Sequence, residues 1–582
     1  MYFRVATRKK KSGTYQSLHL VESYRTPDGK VRQKIIINFG AVHRYTKEEI
    51  RKIIGGLSRF FHLEETARGE EFSFETSQDF GGTYAIFRIW DELGWSRVFR
   101  TCLRGRHYDF DVVANLKVLV ANRLLDPMAK LHILEWMDGV HFPGIKREDV
   151  DYNHLLRSMD FLIEHKEVLE PKLASALMGL FDTSLDLVFY DLTSCYFEID
   201  QEDRDRRKAR GSSLRNYGYD RDRRGCPQLV LGLAMTREGM PLCHWVFPGQ
   251  TPDRATLKAV VKDLKARFPI KRCVVVGDRG LLSEDNLEVL SGAGLDYIVA
   301  LPLRRSSVTR KVVEAVQDRL QEQLRLWKEA KVPLEDRECF LDVHLDGRRF
   351  VVAHSEAIAN ESRRNRAASL REATSYVIYR VARTHGQQKG SIPKEGRVLS
   401  HQDTLLHLHD YLKGRKLRRY YRLWLDEDGT IRWAHNEENR SWENLIDGKL
   451  ILETTNRSLS PKEVVLHYKE LQDIERCFRT LKSSLDIRPV YHFVDRRIRA
   501  HVFICVMALQ IQRLMRRRLH LANIHRSPER VLQRLSLQRS VEAEAQGRRI
   551  HGLVKPSPEQ LSLFRALGVG APQHKELGAQ PL

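Results

Sequence analysis

The chain has 582 residues, more than one hydrophobic core can organise, so about two to four domains are expected. Lys and Arg number 98 against 76 Asp and Glu, and the +22 excess lies in runs at 8–11, 204–210, 221–224, 413–422 and 516–518, which points to a polyanionic partner such as nucleic acid. The eight cysteines form no C-x-x-C pair, no signal-peptide stretch opens the chain, and no apolar run reaches the roughly 18 residues of a membrane span. Buried free thiols are expected in place of a disulfide framework or a cysteine zinc site, no membrane anchor is expected, and a soluble cytoplasmic protein is expected.

Residues 1–45 read as a basic β-rich region, with strands at 15–24 and 31–39 joined by a turn at Pro27-Asp28-Gly29. Thr46 and Glu49 form a capping box that opens a helix to about residue 61. Residues 46–182 form a mainly helical region, read as DNA-binding in a basic chain, although no helix-turn-helix signature stands in it. From 183 to 304 the order changes to β-β-β-α-β-α-β, an α/β core. Its first strand is expected to end at Asp191 and its fourth at Asp278. Residues 305–446 are too long for a loop and read as an inserted mixed, β-rich subdomain. The core resumes at 447–520 with a strand and a helix bearing Glu475, and 521–582 is a helical tail.

That helix is expected over 460–484. Ser460 caps it, Pro461 suits its first turn and Glu463 completes a capping box. Val464, Leu471, Ile474, Phe478, Leu481 and Leu485 follow at helical spacing and predict one buried stripe, with Leu471 in the core. Beside it Tyr468, Glu475 and Lys482 recur every seven residues, on one line of a continuous helix.

Acids past the ends of hydrophobic strands project into a common crevice in α/β folds. Three carboxylates, Asp191, Asp278 and Glu475, suit Mg²⁺ or Mn²⁺. Two such ions about 3.5–4 Å apart can hold both oxygens of a phosphodiester displacement. A lone strand-end Asp is more often a turn former, but three acids in a basic chain favour a metal site.

These residues resemble the DDE transposases of bacterial insertion sequences, in the branch with a β-rich insertion before the Glu and a Y-x2-R-x3-E-x6-K signature. Tyr468, Glu475 and Lys482 match it in type and spacing, while Leu471 stands in place of the arginine, with Arg479 a candidate to supply its charge. Asp191-Leu192-Thr193 and Asp278-Arg279-Gly280 resemble the two Asp motifs, and Arg488-Pro489, Tyr491-His492 and Arg499 to Phe503 also fit the group. The resemblance implies an RNase H-like core, catalytic and metal-binding roles for Asp191, Asp278 and Glu475, and DNA contacts from Tyr468, Lys482 and Arg479. It implies cleavage at the element's terminal inverted repeats, strand transfer into target DNA, a homodimer in the active complex and a place on the bacterial nucleoid. The competing readings are a catalytically inactive DNA-binding protein derived from a transposase and an RNase H-like nuclease without strand transfer.

Overall fold

In the computed structural model, alternation near the N-terminus gives three antiparallel strands, β1 (Tyr2–Lys10), β2 (Gly13–Arg25) and β3 (Val31–Ala41). The structure describes the chain apart from residues 1, 11–12, 27–30, 42–43, 47–48, 50–51, 53–71, 180–186, 203–213, 220–224, 269–273, 278–282, 305, 392–399, 546–547 and 574–582. The turn expected at 27–29 and most of the helix expected after Thr46 lie outside these. The capping box itself is formed, with Glu49 N donating to Thr46 Oγ1 at 3.1 Å and Thr46 N to Glu49 Oε2 at 2.9 Å.

The chain divides into two compact units, one made of 1–273 with 471–582 and the other of 274–470. In the first, β4 (Phe72–Asp79) leads into α1 (Gly81–Glu92), α2 (Trp95–Leu103), α3 (Val112–Leu125), α4 (Ile133–Met137), α5 (Tyr152–Glu164) and α6 (Lys166–Gly179). The Asp residues between them act as N-caps. Asp111 accepts from Val113 N and Ala114 N, and Asp151 from Asn153 N. Then β5 (Leu187–Tyr196), β6 (Gln228–Met235) and β7 (Pro241–Pro248) pair antiparallel in sequence order, followed by α7 (Leu257–Arg267).

The second unit holds β8 (Val274–Gly277), α8 (Glu284–Gly292) and β9 (Asp296–Ala300), with β8 and β9 parallel. Next come α9 (Ser307–Glu329), β10 (Glu338–Leu345) and β11 (Arg348–Ser355), whose hairpin turns at Asp346 and Gly347, both at positive φ. A 33-residue helix α10 (Glu356–Gln388), α11 (His401–Gly414), the pair β12 (Tyr421–Leu425) and β13 (Ile431–His435), and α12 (Glu437–Ile446) precede β14 (Lys449–Thr454). Strand β14 pairs with both β9 and β11, so the inserted hairpin extends this unit's sheet. Val312, Val316, Phe350 and Ile451 form one core there, and Leu370, Val377, Leu408 and Ile431 a second under α10 and α11. The unit ends with α13 (Pro461–Lys469).

The first unit resumes with α14 (Gln472–Ser483), the 27-residue α15 (Asp495–Leu521), α16 (Pro528–Ser536), β15 (Arg539–Ala545), β16 (Arg548–Leu553) and α17 (Pro558–Ala566). Strand β15 pairs with β4, joining the two ends of the unit. Among the described residues, α15 alone is long and apolar enough to cross a membrane, yet 89% of its apolar window is buried inside the fold, as befits a core helix. The described cysteines are all free, with Cys195, Cys243, Cys477 and Cys505 buried.

Candidate active site

The sequence reading ended β5 at Asp191, and the structure corrects it. The strand continues because Leu192, Thr193, Ser194 and Cys195 pair with Gly232, Leu231, Val230 and Leu229. Asp191 is a mid-strand acid, half-buried where every other residue of β5 is buried.

Strand parity fixes its face. Tyr190 donates from its hydroxyl to Thr256 Oγ1 at 3.0 Å, and its ring meets Trp245 edge-on at 5.8 Å. Trp245 in turn donates from Nε1 to Asp263 of α7 at 2.7 Å, so these rings face α7. Asp191 points the other way, in register with Leu233 and His244. Helix α15 covers that second face. Its Phe503 ring lies 5.2 Å from His244, and its Gln510 donates to Pro241 O at 2.9 Å. Helix α14 packs against β5 and α15. Asp191 and the helix bearing Glu475 therefore share one face of the β5–β6–β7 sheet.

The segment 460–484 is two helices where one was expected. The first keeps its capping box, Ser460 N donating to Glu463 Oε2 at 2.8 Å and Glu463 N to Ser460 Oγ at 3.3 Å. Its ladder closes with Glu470 N to Leu466 O, and a new one starts at Leu471 O, which accepts from Ile474 N at 3.0 Å and Glu475 N at 3.3 Å. Val464 is buried on α13, whereas Ile474, Cys477, Phe478 and Leu481 are the buried side of α14. Tyr468 thus belongs to α13, and Glu475 and Lys482 belong to α14. Leu471 is half-buried at the N-cap of α14, not a core residue of one stripe. No Gly or Pro marks this break, and the apolar spacing runs on through it.

Within α14, Glu475 and Lys482 lie about 20° apart around the axis. Glu475 and Arg479 are exposed and Lys482 is half-buried. The helix ends as Ile487 N donates back to Leu481 O at 2.8 Å and Asp486 takes a left-handed conformation, which Asp tolerates.

The loop beyond α14 is tied down on both sides. Buried Arg123 of α3 donates to Met128 O, to Asn122 Oδ1 at 3.1 Å and to Asp486 O at 3.4 Å. His501 Nε2 donates to Ile487 O at 3.0 Å, leaving Nδ1 to accept from Lys130 Nζ at 3.5 Å. Burial drives the Lys130 amine and the His501 imidazole well below their usual ranges and His492 down to about 3, helped by neighbouring cations. Val490 N donates to Tyr196 O at 3.3 Å, and the Arg488 guanidinium lies over the Tyr196 ring at 5.2 Å. The end of β5 and the loop after α14 are thereby fixed to each other. Sequence reasoning missed Arg123 and Lys130, which stand in a helical region without a motif; Arg123 precedes its loop partner by 363 residues.

A second buried network backs the sheet. Glu170 is 2.6 Å from Lys166 Nζ, 2.5 Å from Arg267 and 2.6 Å from His244 Nδ1. Burial pushes the Glu170 carboxyl up, but Lys166, His244 and Arg267 outweigh it and hold it well below the usual carboxylate range. Burial, opposed by Glu170, brings His244 down to about 4.

Asp278 lies outside the described residues, as do the basic runs at 204–210 and 221–224; the strand before Asp278 is buried throughout. Within the run at 413–422, Arg415 pairs with Glu372 at 2.7 Å, Arg418 donates to His409 at 2.8 Å and Arg419 lies 3.5 Å from Glu443. Those cations are engaged within the chain. Asp191 and Glu475 offer the hard carboxylate oxygens that Mg²⁺ and Mn²⁺ take. Among the described residues, no group of three or more His, Cys, Asp or Glu is placed to hold an ion.

Two family models match the chain. That of the IS1634 family transposase N-terminal domain covers residues 3–66, and that of the transposase DDE domain covers residues 199–511. Asp278 and Glu475 fall inside the second span, and Asp191 stands just ahead of it. No curated protein matches the chain.

Proposed function

Because the chain belongs to the DDE transposases, enzymes with an RNase H-like core that cut DNA at the ends of an insertion sequence and carry out strand transfer, we propose that Asp191, Asp278 and Glu475 are its catalytic carboxylates. The observation that carries this reading is that Asp191, the one residue of β5 left short of full burial, shares a sheet face with the helix of Glu475. The family works with divalent metal ions, and a pair of Mg²⁺ or Mn²⁺ ions would supply charge stabilisation at the attacking and leaving oxygens. Asp191, Asp278 and Glu475 would hold the pair. Lys482, along α14 from Glu475, holds a phosphate beside the scissile bond as a point charge. Arg479 supplies the cation that Leu471 lacks, and Tyr468 contacts the DNA backbone. The ties from Arg123 and His501 to the 486–490 loop, with Lys130 bonded to His501 behind them, keep α14 in place against β5.

In this reading the catalytic core is 183–304 with 447–520, interrupted by the 305–446 insertion. The enzyme acts as a homodimer on paired terminal inverted repeats and then on target DNA, on the nucleoid in the bacterial cytoplasm. The test is incubation with Mg²⁺ and duplex DNA flanking the gene, followed by mapping of the cut ends. Asp191→Asn, Asp278→Asn and Glu475→Gln should each lower cleavage by about 10³-fold or more while end binding survives. Full cleavage by the three variants would remove the carboxylate assignment.

A further inference from the structure

Four exposed aromatic rings stand on two loops that meet at the end of β5. Tyr217 and Tyr219, on the loop before β6, are 43% and 83% exposed, and Tyr491 and Phe493, on the loop after α14, are 59% and 50% exposed. Both loops are tied to the sheet. Asn216 and Gln228 exchange two backbone hydrogen bonds, at 2.9 and 3.2 Å, and Gly249 N donates to Leu214 O at 3.1 Å. A Cβ at Gly218 would lie 1.9 Å from Gly249 O, so the first loop runs flush against the residue that follows β7. Gln228 Nε2 donates to Tyr219 O at 2.9 Å, and Tyr217 Oη donates to Asp200 O at 2.8 Å. Arg215, 3% exposed, joins the two loops from beneath. Its guanidinium lies 5.3 Å from the Phe493 ring and 5.9 Å from the buried Phe197 ring. In sequence the first loop stands between the basic runs at 204–210 and 221–224.

Exposed apolar clusters mark contact sites, and rings held in place beside cations suit single-stranded nucleic acid, because every base offers a π-face next to a phosphate. The guanidiniums of Arg215 and Arg488 under and beside these rings favour that partner over an apolar protein face. We propose that the cluster is a stacking platform for unpaired bases of DNA, with Tyr491 and Phe493 carrying the bases and Arg215 fixing Phe493. From Asp191 to Tyr196 the strand spans about 17 Å, or about five stacked nucleotides, so one DNA strand reaches from the proposed cutting site to the platform. That reach rests on the Asp191 assignment; the platform itself does not.

The experiment uses the full chain without Mg²⁺ and a labelled oligothymidylate of about 20 nucleotides, with Kd followed by fluorescence anisotropy from about 50 to 200 mM salt. Tyr491→Ala/Phe493→Ala should bind it about tenfold more weakly, with the slope of log Kd on log salt unchanged, because the rings carry no charge. Its affinity for a mixed-sequence duplex of the same length should change by less than about twofold, which also shows that the variant is folded. Tyr491→Phe/Phe493→Tyr keeps both rings and should bind as the parent does. Tyr379→Ala, which removes an exposed ring on α10, should leave oligothymidylate binding unchanged. Unchanged oligothymidylate binding in the alanine variant, an equal loss on duplex, or an equal loss in Tyr379→Ala overturns the proposal. So does intact oligothymidylate binding with a smaller species in light scattering, which would make the cluster a contact between copies of the chain. The assay needs no cleavage, so cutting by Asp191→Asn would remove the carboxylate assignment and leave the platform standing.

Discussion

Two runs of three antiparallel strands, β5–β6–β7 and β1–β2–β3, are exposed to opposite degrees. Every residue of β6 is buried, and all of β5 but Asp191, because α7 covers one face and α14 and α15 the other. In the N-terminal sheet, β3 buries only Ile37 of its eleven residues. The covered sheet can hold a carboxylate in one place against a helix. The open sheet leaves most of the β3 side chains partly or fully exposed. The helices that cover it, and not its strand pairing, separate the first sheet region from the second.

Single truncations sharpen this contrast most. Leu231→Ala in β6 should cost about 2–5 kcal/mol by urea denaturation, since it leaves a cavity in a fully packed layer. Ile35→Ala in β3 should change stability by about 0.5 kcal/mol or less. Equal costs would show that the N-terminal sheet is covered in solution.

The covered region should also carry the acid sensitivity. His244 and His492 have folded-state pKa values near 4 and 3, below the ordinary 6.5, chiefly through burial. Between those values the folded chain binds fewer protons than the unfolded one. Their contribution is fully present above about pH 6.5 and is lost as pH falls toward 4, at up to about 1.4 kcal/mol per pH unit for each group. Thermal melts from pH 7.5 to 4.5 should show Tm falling with pH, and a flat profile would mean that these imidazoles are solvated.

The smallest effect is expected at Leu471. Half-buried at the start of α14, it should accept arginine with a change of about 1 kcal/mol or less and no loss of cleavage. A fall in Tm like that of Leu231→Ala would return Leu471 to the core.

Much of this was legible in the sequence because local signals agreed with burial. The apolar run 228–235 predicts β6 with the bounds observed, and the capping boxes at Thr46 and Ser460 form as read. The strand that carries Asp191 was legible but the place of Asp191 within it was not. Asp-Leu-Thr-Ser resembles a turn, and only partners more than 30 residues on, Leu229 to Leu233, keep it extended. The break at Glu470–Leu471 was hidden because helical spacing crosses it with no breaker residue. The ties from Arg123 and Lys130 had no signal at all, since buried polar pairs distant in sequence leave no period to read.

The central claim is that Asp191 acts as a metal-binding carboxylate opposite Glu475. Its most direct test is Asp191→Cys, assayed for cleavage of the gene's flanking DNA in Mg²⁺ and then in Mn²⁺. A thiolate is a poor ligand for hard Mg²⁺ and a better one for softer Mn²⁺. The account predicts no cleavage in Mg²⁺ and partial recovery in Mn²⁺, with Asp191→Ala silent in both. Cleavage by Asp191→Cys in Mg²⁺ at the parent rate, or equal behaviour of the Cys and Ala variants in Mn²⁺, would contradict it.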